Sequence, residues 1–175
     1  MDITQLILDD HHEQRRLFAQ LEEIPREDAE TLAAVWNRLA AFLELHAAAE
    51  EKLFYPALLK LGKGVEDTDP VDETDDAIHD HNDIRDAVAA VSDHAVGSDG
   101  WYEAIDAVNV ANGDHMAEEE REGLTDFRRH TSLQARHDLA VAFLGFEAEH
   151  VTGVTPRDRD PDEYIRENAP RERGR

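Results

Sequence analysis

The residues Leu39, Leu43, His46, Glu50 and Leu53 follow one another at intervals of four, three, four and three. Those intervals trace one face of an α-helix, on which successive residues turn by roughly 100°. The face is apolar at both ends and carries an imidazole and a carboxylate in its middle. An apolar stripe of this kind is buried on folding. An unpaired carboxylate inside a core is costly or is neutralised instead. The chain must therefore fold into a helical assembly whose interior compensates that charge.

The construction recurs along the chain. A first helical segment covers residues 2–23, with Ile3, Ile7, Phe18 and Leu21 on one side and Pro25 ending it. His11 lies four residues after Ile7 and seven before Phe18, on that stripe, and His12 is turned towards solvent. The second segment covers 28–61, with Trp36 also on its stripe and Pro56 expected to break or kink it. In the third, 71–96, Ile84, Val88 and Val91 define the face; His81 falls on it and His79 opposite. In the fourth, 101–129, Trp101, Ile105, Val108, His115 and Glu119 share a face. Glu51, Glu118 and Glu120 sit beside these faces as solvated or supporting residues. Tyr55, Trp36 and Trp101 read as core, and Glu147 with His150 as a surface pair.

Four imidazoles and two carboxylates thus aim at one interior: His11, His46, Glu50, His81, His115 and Glu119. No lysine points inward, and Arg85 is the only nearby base. A metal centre supplies the missing compensation, and His with carboxylate ligands suits iron or manganese and also admits zinc. Heights agree as well. His81 and His115 stand roughly 24 and 22 Å from the turn at 97–100, so helices paired across that turn bring them level.

No segment alternates as a strand does, and glycine and proline gather at the junctions, as in GKGVEDTDP at 62–70. The expected fold is all-α: an antiparallel up-down four-helix bundle over 1–131. A shorter fifth helix is expected at 132–150, packed on the bundle. A polar, proline-containing tail at 151–175 is expected to pack weakly.

Composition narrows the function. Against 41 Asp and Glu stand only 18 Lys and Arg, a net charge of −23, which argues against nucleic acids and anionic membranes. A hydrophobic content of 41% over 175 residues suits one soluble domain with a real core. The absence of cysteine excludes disulfides, thiolate zinc sites, iron–sulfur ligation and thiol catalysis. No apolar run approaches the roughly 20 residues of a membrane helix. The start, MDITQLILDDHHEQ, is acidic and lacks a signal peptide's features, so the expected compartment is the cytoplasm. No nucleotide loop, flavin signature or nucleophile triad is apparent.

The pattern resembles the hemerythrin-like HHE cation-binding domain family. DDHHEQRRLFAQLE at 9–22 is similar to that family's first helix, and aligning Leu17 and Phe18 selects His11 as the metal histidine. LELHAAAEEKLFYPAL at 43–58 carries the strongest likeness, H-x-x-x-E-E followed by F-Y-P. HDHNDIRDAV at 79–88 matches through His81, Ile84 and Arg85, and HMAEEEREGLTDFRR at 115–129 through His115 and Glu119. The resemblance implies a di-iron centre with a bridging oxide or hydroxide, two irons held by His11, His46, Glu50, His81, His115 and Glu119. Both carboxylates would bridge, leaving each octahedral iron with about five ligands and one open position. Oxygen-carrying hemerythrins have a further histidine where this chain has Arg85, and an aspartate where it has Glu120. Those departures argue against reversible oxygen carriage. The implied ligand is O2, peroxide or NO, with catalase-like decomposition of hydrogen peroxide; the alternative is a non-catalytic iron, oxygen or NO sensor.

Overall fold

The computed structural model describes residues 1–65 and 68–170 of the chain. Four long helices form the bundle: α1 (Ile3–Glu23), α2 (Ala29–Ala49), α4 (Pro70–Val91) and α5 (Asp99–Arg121). A π-helical turn (Glu50–Phe54) and α3 (Tyr55–Leu61) continue α2, and α6 (Gly123–His130) continues α5. α7 (Leu133–Glu149) packs on α1 and α2, and α8 (Pro161–Asn168) packs on α4. The architecture is the expected all-α up-down bundle, and among the described residues the sole β-type pairing is the isolated bridge Val65–Thr68.

The helices start where side chains satisfy their free N–H groups. Asp2, Asp28, Asp69 and Ser98 accept from backbone N–H groups at the first turns of α1, α2, α4 and α5. The turn between α4 and α5 needs Gly97, whose φ of 80° lies in the left-handed region. Arg26 and Asp99 pair at 2.6 Å across this end, so the α1–α2 and α4–α5 connections lie side by side.

The interior is layered. At the end with these connections, Leu17, Phe18, Leu21, Leu32, Trp36, Leu39, Leu43, Val91, Trp101, Ile105 and Val108 form one apolar cluster. At the other end, Ile3, Ile7, Phe54, Tyr55, Leu58, Ile78, Leu124, Phe127, Phe143 and Tyr164 belong to a second. Between them each long helix contributes polar groups to the same layer. On α1, for instance, His11 and Gln14 lie between Ile7 and Leu17, all of them buried.

Three expectations need correcting. The second segment does not simply kink at Pro56. A proline ring clashes with the carbonyl four residues back in an α-helix. Here each hydrogen-bonded loop widens by one residue just before it, and Tyr55 N–H bonds to the Glu50 carbonyl five residues back. The wider turn buries Glu50 and Glu51 together, at 0% and 4% exposure. The fourth segment is interrupted at Glu122, where ψ falls to −78° and Gly123 follows. A Cβ on Gly123 would lie 2.8 Å from Glu73 Oε1, so glycine lets α4 and α6 approach.

The third correction concerns the tail. α8 is held firmly: Tyr164 is 3% exposed and its hydroxyl donates to the Glu51 carbonyl at 2.5 Å. Arg159 Nε donates to Glu51 Oε2 at 2.5 Å, and Asn82 exchanges two hydrogen bonds with the Arg159 backbone. The part of the expected tail at 171–175 lies outside the described residues. Among the described residues, no helix is long and apolar enough to cross a membrane.

Candidate metal centre

α1 carries His11, α2 carries His46, and the π-helical turn begins with Glu50. His81 comes from α4, and His115 and Glu119 come from α5. All six are at most 4% exposed. They converge. His46 Nε2 lies 2.9 Å from Glu50 Oε1, and His81 Nε2 lies 3.4 Å from Glu50 Oε2. His81 Nε2 is 3.1 Å from His115 Nε2, and His11 Nε2 is 3.3 Å from Glu119 Oε2. Two sets have donor atoms mutually within 4.8 Å, His11–His46–Glu50 and Glu50–His81–His115, with Glu50 common to both.

The outer nitrogen of every ring faces an acid. His11 Nδ1 contacts Glu120 at 2.9 Å, His46 Nδ1 contacts Asp10 at 3.1 Å, His81 Nδ1 contacts Glu51 at 3.1 Å, and His115 Nδ1 faces Asp80 at 3.4 Å. Each acid sits next in sequence to one of the six inward residues and serves the histidine of a neighbouring helix. The contacts close a ring: α1 to α5, α5 to α4, α4 to the π-helical turn, and α2 back to α1. A carboxylate on Nδ1 keeps that nitrogen's proton outside, so Nε2 is the nitrogen that can give a lone pair to a cation once any proton on it is displaced.

His81 Nε2 and His115 Nε2 contact each other, and most of the other inward atoms are left without hydrogen bonds. His11 Nε2, His46 Nε2, both Glu50 oxygens and Glu119 Oε2 are buried and have no hydrogen-bond partner. Such orphans are rare in folded proteins and call for a missing partner. A cation fits this set, since all its atoms are electron-pair donors in a His and carboxylate environment. Glu119 keeps one tie, because the Tyr55 hydroxyl donates to its Oε1 at 2.8 Å.

Without a metal, protons carry the compensation. Burial pulls His81 down, but its close contacts with the Glu50 and Glu51 carboxylates outweigh it and set the ring at about 9. Burial likewise opposes charge on His46, yet the Glu50 charge and the Asp10 contact hold it well above its ordinary value. Burial pushes Glu50 up, and the His46 charge with contacts to His46 and His81 overrides this, leaving Glu50 well below the usual range. Glu51, opposed by burial but contacted by His81 and Arg85, falls to about 2. On Glu120 the His11 contact dominates and gives about 2. A cation entering here displaces protons from imidazoles, so binding is linked to proton release.

Sequence reasoning brings all six inward residues to one place. It assigns Arg85 too general a part: the guanidinium pairs with Glu44 and Glu51 at 2.8 and 2.7 Å and leaves Glu50 and Glu119 to the histidines. Glu147 is not a surface residue. It is half-buried beside Asp10 and His46, and burial followed by the Asp10 charge raises it to about 7. Asp10 and Asp80 were not singled out, although each adjoins an inward histidine. Gln14 was missed too. It lies one turn beyond His11, accepts from Asn112 at 2.9 Å, and leaves its own Nε2 without an acceptor.

The family model for the hemerythrin HHE cation binding domain matches residues 2–125. A solved structure with the same domain, a hemerythrin HHE cation binding domain-containing protein from Mycobacterium kansasii, superposes with a TM-score of 0.71. It covers 95% of this chain and 98% of its own, at 16% identity, which establishes likeness of fold. No curated protein matches significantly. With the family model spanning most of the chain and all four long helices, this protein belongs to the hemerythrin HHE cation-binding family.

Proposed function

We propose that the chain binds two iron ions and that the paired site takes O2, hydrogen peroxide or nitric oxide, with catalase-like removal of hydrogen peroxide as its reaction. His11 and His46 would serve one ion, His81 and His115 the other, with Glu50 and Glu119 shared. One observation carries the reading. Buried donor atoms of His11, His46, Glu50 and Glu119 have no hydrogen-bond partner on their inner side, and an acid orients each of the four histidines from outside. A bound iron pair supplies redox equivalents and open positions for a small oxygen- or nitrogen-based ligand.

The protein's own groups suit that task. Tyr55 steadies Glu119 through its hydroxyl and is fully buried. Gln14 brings an amide N–H with no acceptor into the layer of the centre, where an oxygen-containing ligand would accept from it. Glu73 holds a proton nearby: burial, then the Glu119 charge, raises it to about 9. The buried layer excludes bulk water and strengthens each of these contacts.

The test is metal content per chain after growth with iron and purification without chelator, followed by loss of hydrogen peroxide against a free-iron control. Near two irons per chain with peroxide loss above the control is the expected result. No bound metal in a folded chain would overturn the metal assignment, and two irons without turnover would overturn the catalase reading alone. A sensor is the second reading, favoured by the chain of contacts Arg159–Glu51–His81, which links the segment leading into α8 to the centre. It requires the α8 region to change its protease sensitivity when metal binds.

A further inference from the structure

A cavity of about 330 Å³ opens between α2 and α4 and ends on His46, His81 and His115. It runs from the centre towards the connections, along Ala47 and Ala40 on α2 and along Ile84, Val88 and Ala89 on α4. Ala89 stands eight residues beyond His81, about 12 Å along the helix. Val154 and Pro156 form the roof. That roof lies beyond residue 125, where the family match ends, and the contacts of Arg159 and Tyr164 with Glu51 hold its segment down.

Its size and chemistry restrict the occupant. A diatomic molecule needs about the space of one water, and this cavity of about 330 Å³ has room for far more than that. It falls within the range of small-organic-molecule sites. Alanines on two facing helices create the width. The polar groups on the wall are already engaged: Arg85 pairs with Glu44 and Glu51, and Asn112 bonds to Gln14. No guanidinium or carboxylate on the wall is left unpaired for a charged ligand, and the three histidines at the end already face Asp10, Glu51 and Asp80. Apart from the histidines at its end, the other wall residues offer methyl and methylene surface, which holds water poorly.

We propose that this cavity binds a neutral, apolar organic molecule of about ten to fifteen non-hydrogen atoms, with one end against His46, His81 and His115. The centre then meets an organic compound as well as a diatomic ligand. The occupant enters beneath the Val154–Pro156 roof, and its size is set by Ala40, Ala47 and Ala89.

The experiment uses the full chain without metal, so that it stands apart from the iron reading. Naphthalene and 2-naphthoate are the probes: the same two rings, with and without a carboxylate. Titration followed by NMR is expected to show one naphthalene per chain with a Kd at or below about 100 μM. The ring signals of His81 and His115 should shift, and 2-naphthoate should bind at least about tenfold more weakly, since Arg85 and the three histidines are already paired with acids and a buried carboxylate would add negative charge beside them. Ala40→Phe should abolish binding with the helical circular dichroism unchanged. Val154→Asp, in an irregular segment, should weaken it at least about tenfold even if Ala40→Phe fails to fold. Absence of naphthalene binding, equal binding of the carboxylate, binding indifferent to the roof substitution, or unshifted histidine signals would each overturn the proposal.

Discussion

Two neighbouring layers of the same four helices are filled in opposite ways. In one, Trp36 and Trp101 meet edge to face with ring centroids 6.5 Å apart, surrounded by leucine, isoleucine and valine. In the next, one or two turns along each helix, four histidines, two glutamates, Gln14 and Asn112 occupy equivalent inward positions. Both layers are as deeply buried as each other. The first gains stability from water exclusion and packing alone. The second has removed charges and amides from water, and holds together through a closed ring of acids outside the histidines and through whatever positive charge lies within. Depth in the bundle therefore does not tell whether a residue stabilises it; the partners do.

Removing packing from the first layer should give the largest effect. Trp101 is 1% exposed and anchors both the tryptophan pair and an edge contact to Tyr102 at 5.0 Å. Trp101→Ala is expected to cost about 3–5 kcal/mol of unfolding free energy, equally with and without iron. Denaturant titrations of both forms check this. A loss that depended on iron would mean that the layers are not independent.

The second layer should behave in the opposite manner. Glu50→Ala removes the carboxylate common to both donor sets. Its main effect should be on the stability added by metal, which reaches about 4 kcal/mol when free metal stands a thousandfold above its Kd. The variant should hold at most about one iron per chain, and most of the metal-induced rise in Tm should vanish. Full metal content with an unchanged Tm rise would remove Glu50 from the centre.

The same contrast explains what could be read from the sequence. The tryptophan layer lies wholly on the long helices, where three-and-four spacing places each residue without knowledge of its neighbours. The six inward polar residues obey that spacing and were equally visible. The ring around them was only partly so: Glu51 and Glu120 stood beside the inward faces, whereas Asp10 and Asp80 acquire their meaning from histidines on other helices. Glu51 shows a different limit. An ideal helix turns it about 100° from Glu50, and only the widening that accommodates Pro56 buries both. The tail misled for a further reason. Arg159 and Tyr164 stand in a polar, proline-containing stretch whose composition reads as solvated, yet their contacts with Glu51 are specific and long-range. Periodicity finds helices and faces, and pairings between distant segments have no local signal.

Acidity separates the layers next, since only one of them titrates. In the metal-free chain Glu51, at about 2 against an ordinary 4.5, contributes stability that is complete above pH 4.5 and lost as pH falls towards 2. His81, at about 9 against 6.5, contributes stability complete below pH 6.5 and lost as pH rises through 9. Glu73, also at about 9, is penalised increasingly as pH rises from 4.5, because folding disfavours its ionised form. The metal-free Tm should therefore peak near pH 5 and fall steadily to pH 9. Iron should make the alkaline fall shallower, since the histidines then need no proton. Identical alkaline slopes for the two forms would show that protons and metal do not compete for these rings.

The finest comparison lies within the ring of acids itself. Asp10 faces His46 at 3.1 Å with its side chain 15% exposed, whereas Asp80 faces His115 at 3.4 Å and is 31% exposed. Removing an acid that orients a metal-bound histidine typically lowers metal affinity about 10–100-fold. Charge and hydrogen bond both weaken with distance and with access to water. Asp80→Asn should therefore fall at the low end of that range and Asp10→Asn higher, each measured as iron affinity by competition with a chelator at fixed pH. Asparagine keeps the shape and accepts one hydrogen bond, so a loss reports on charge and not on packing. If both variants bound iron as tightly as the parent, the acids would be merely solvated neighbours of the histidines. The inner donors alone would then define the site, and the two layers would differ only in their inward-facing residues.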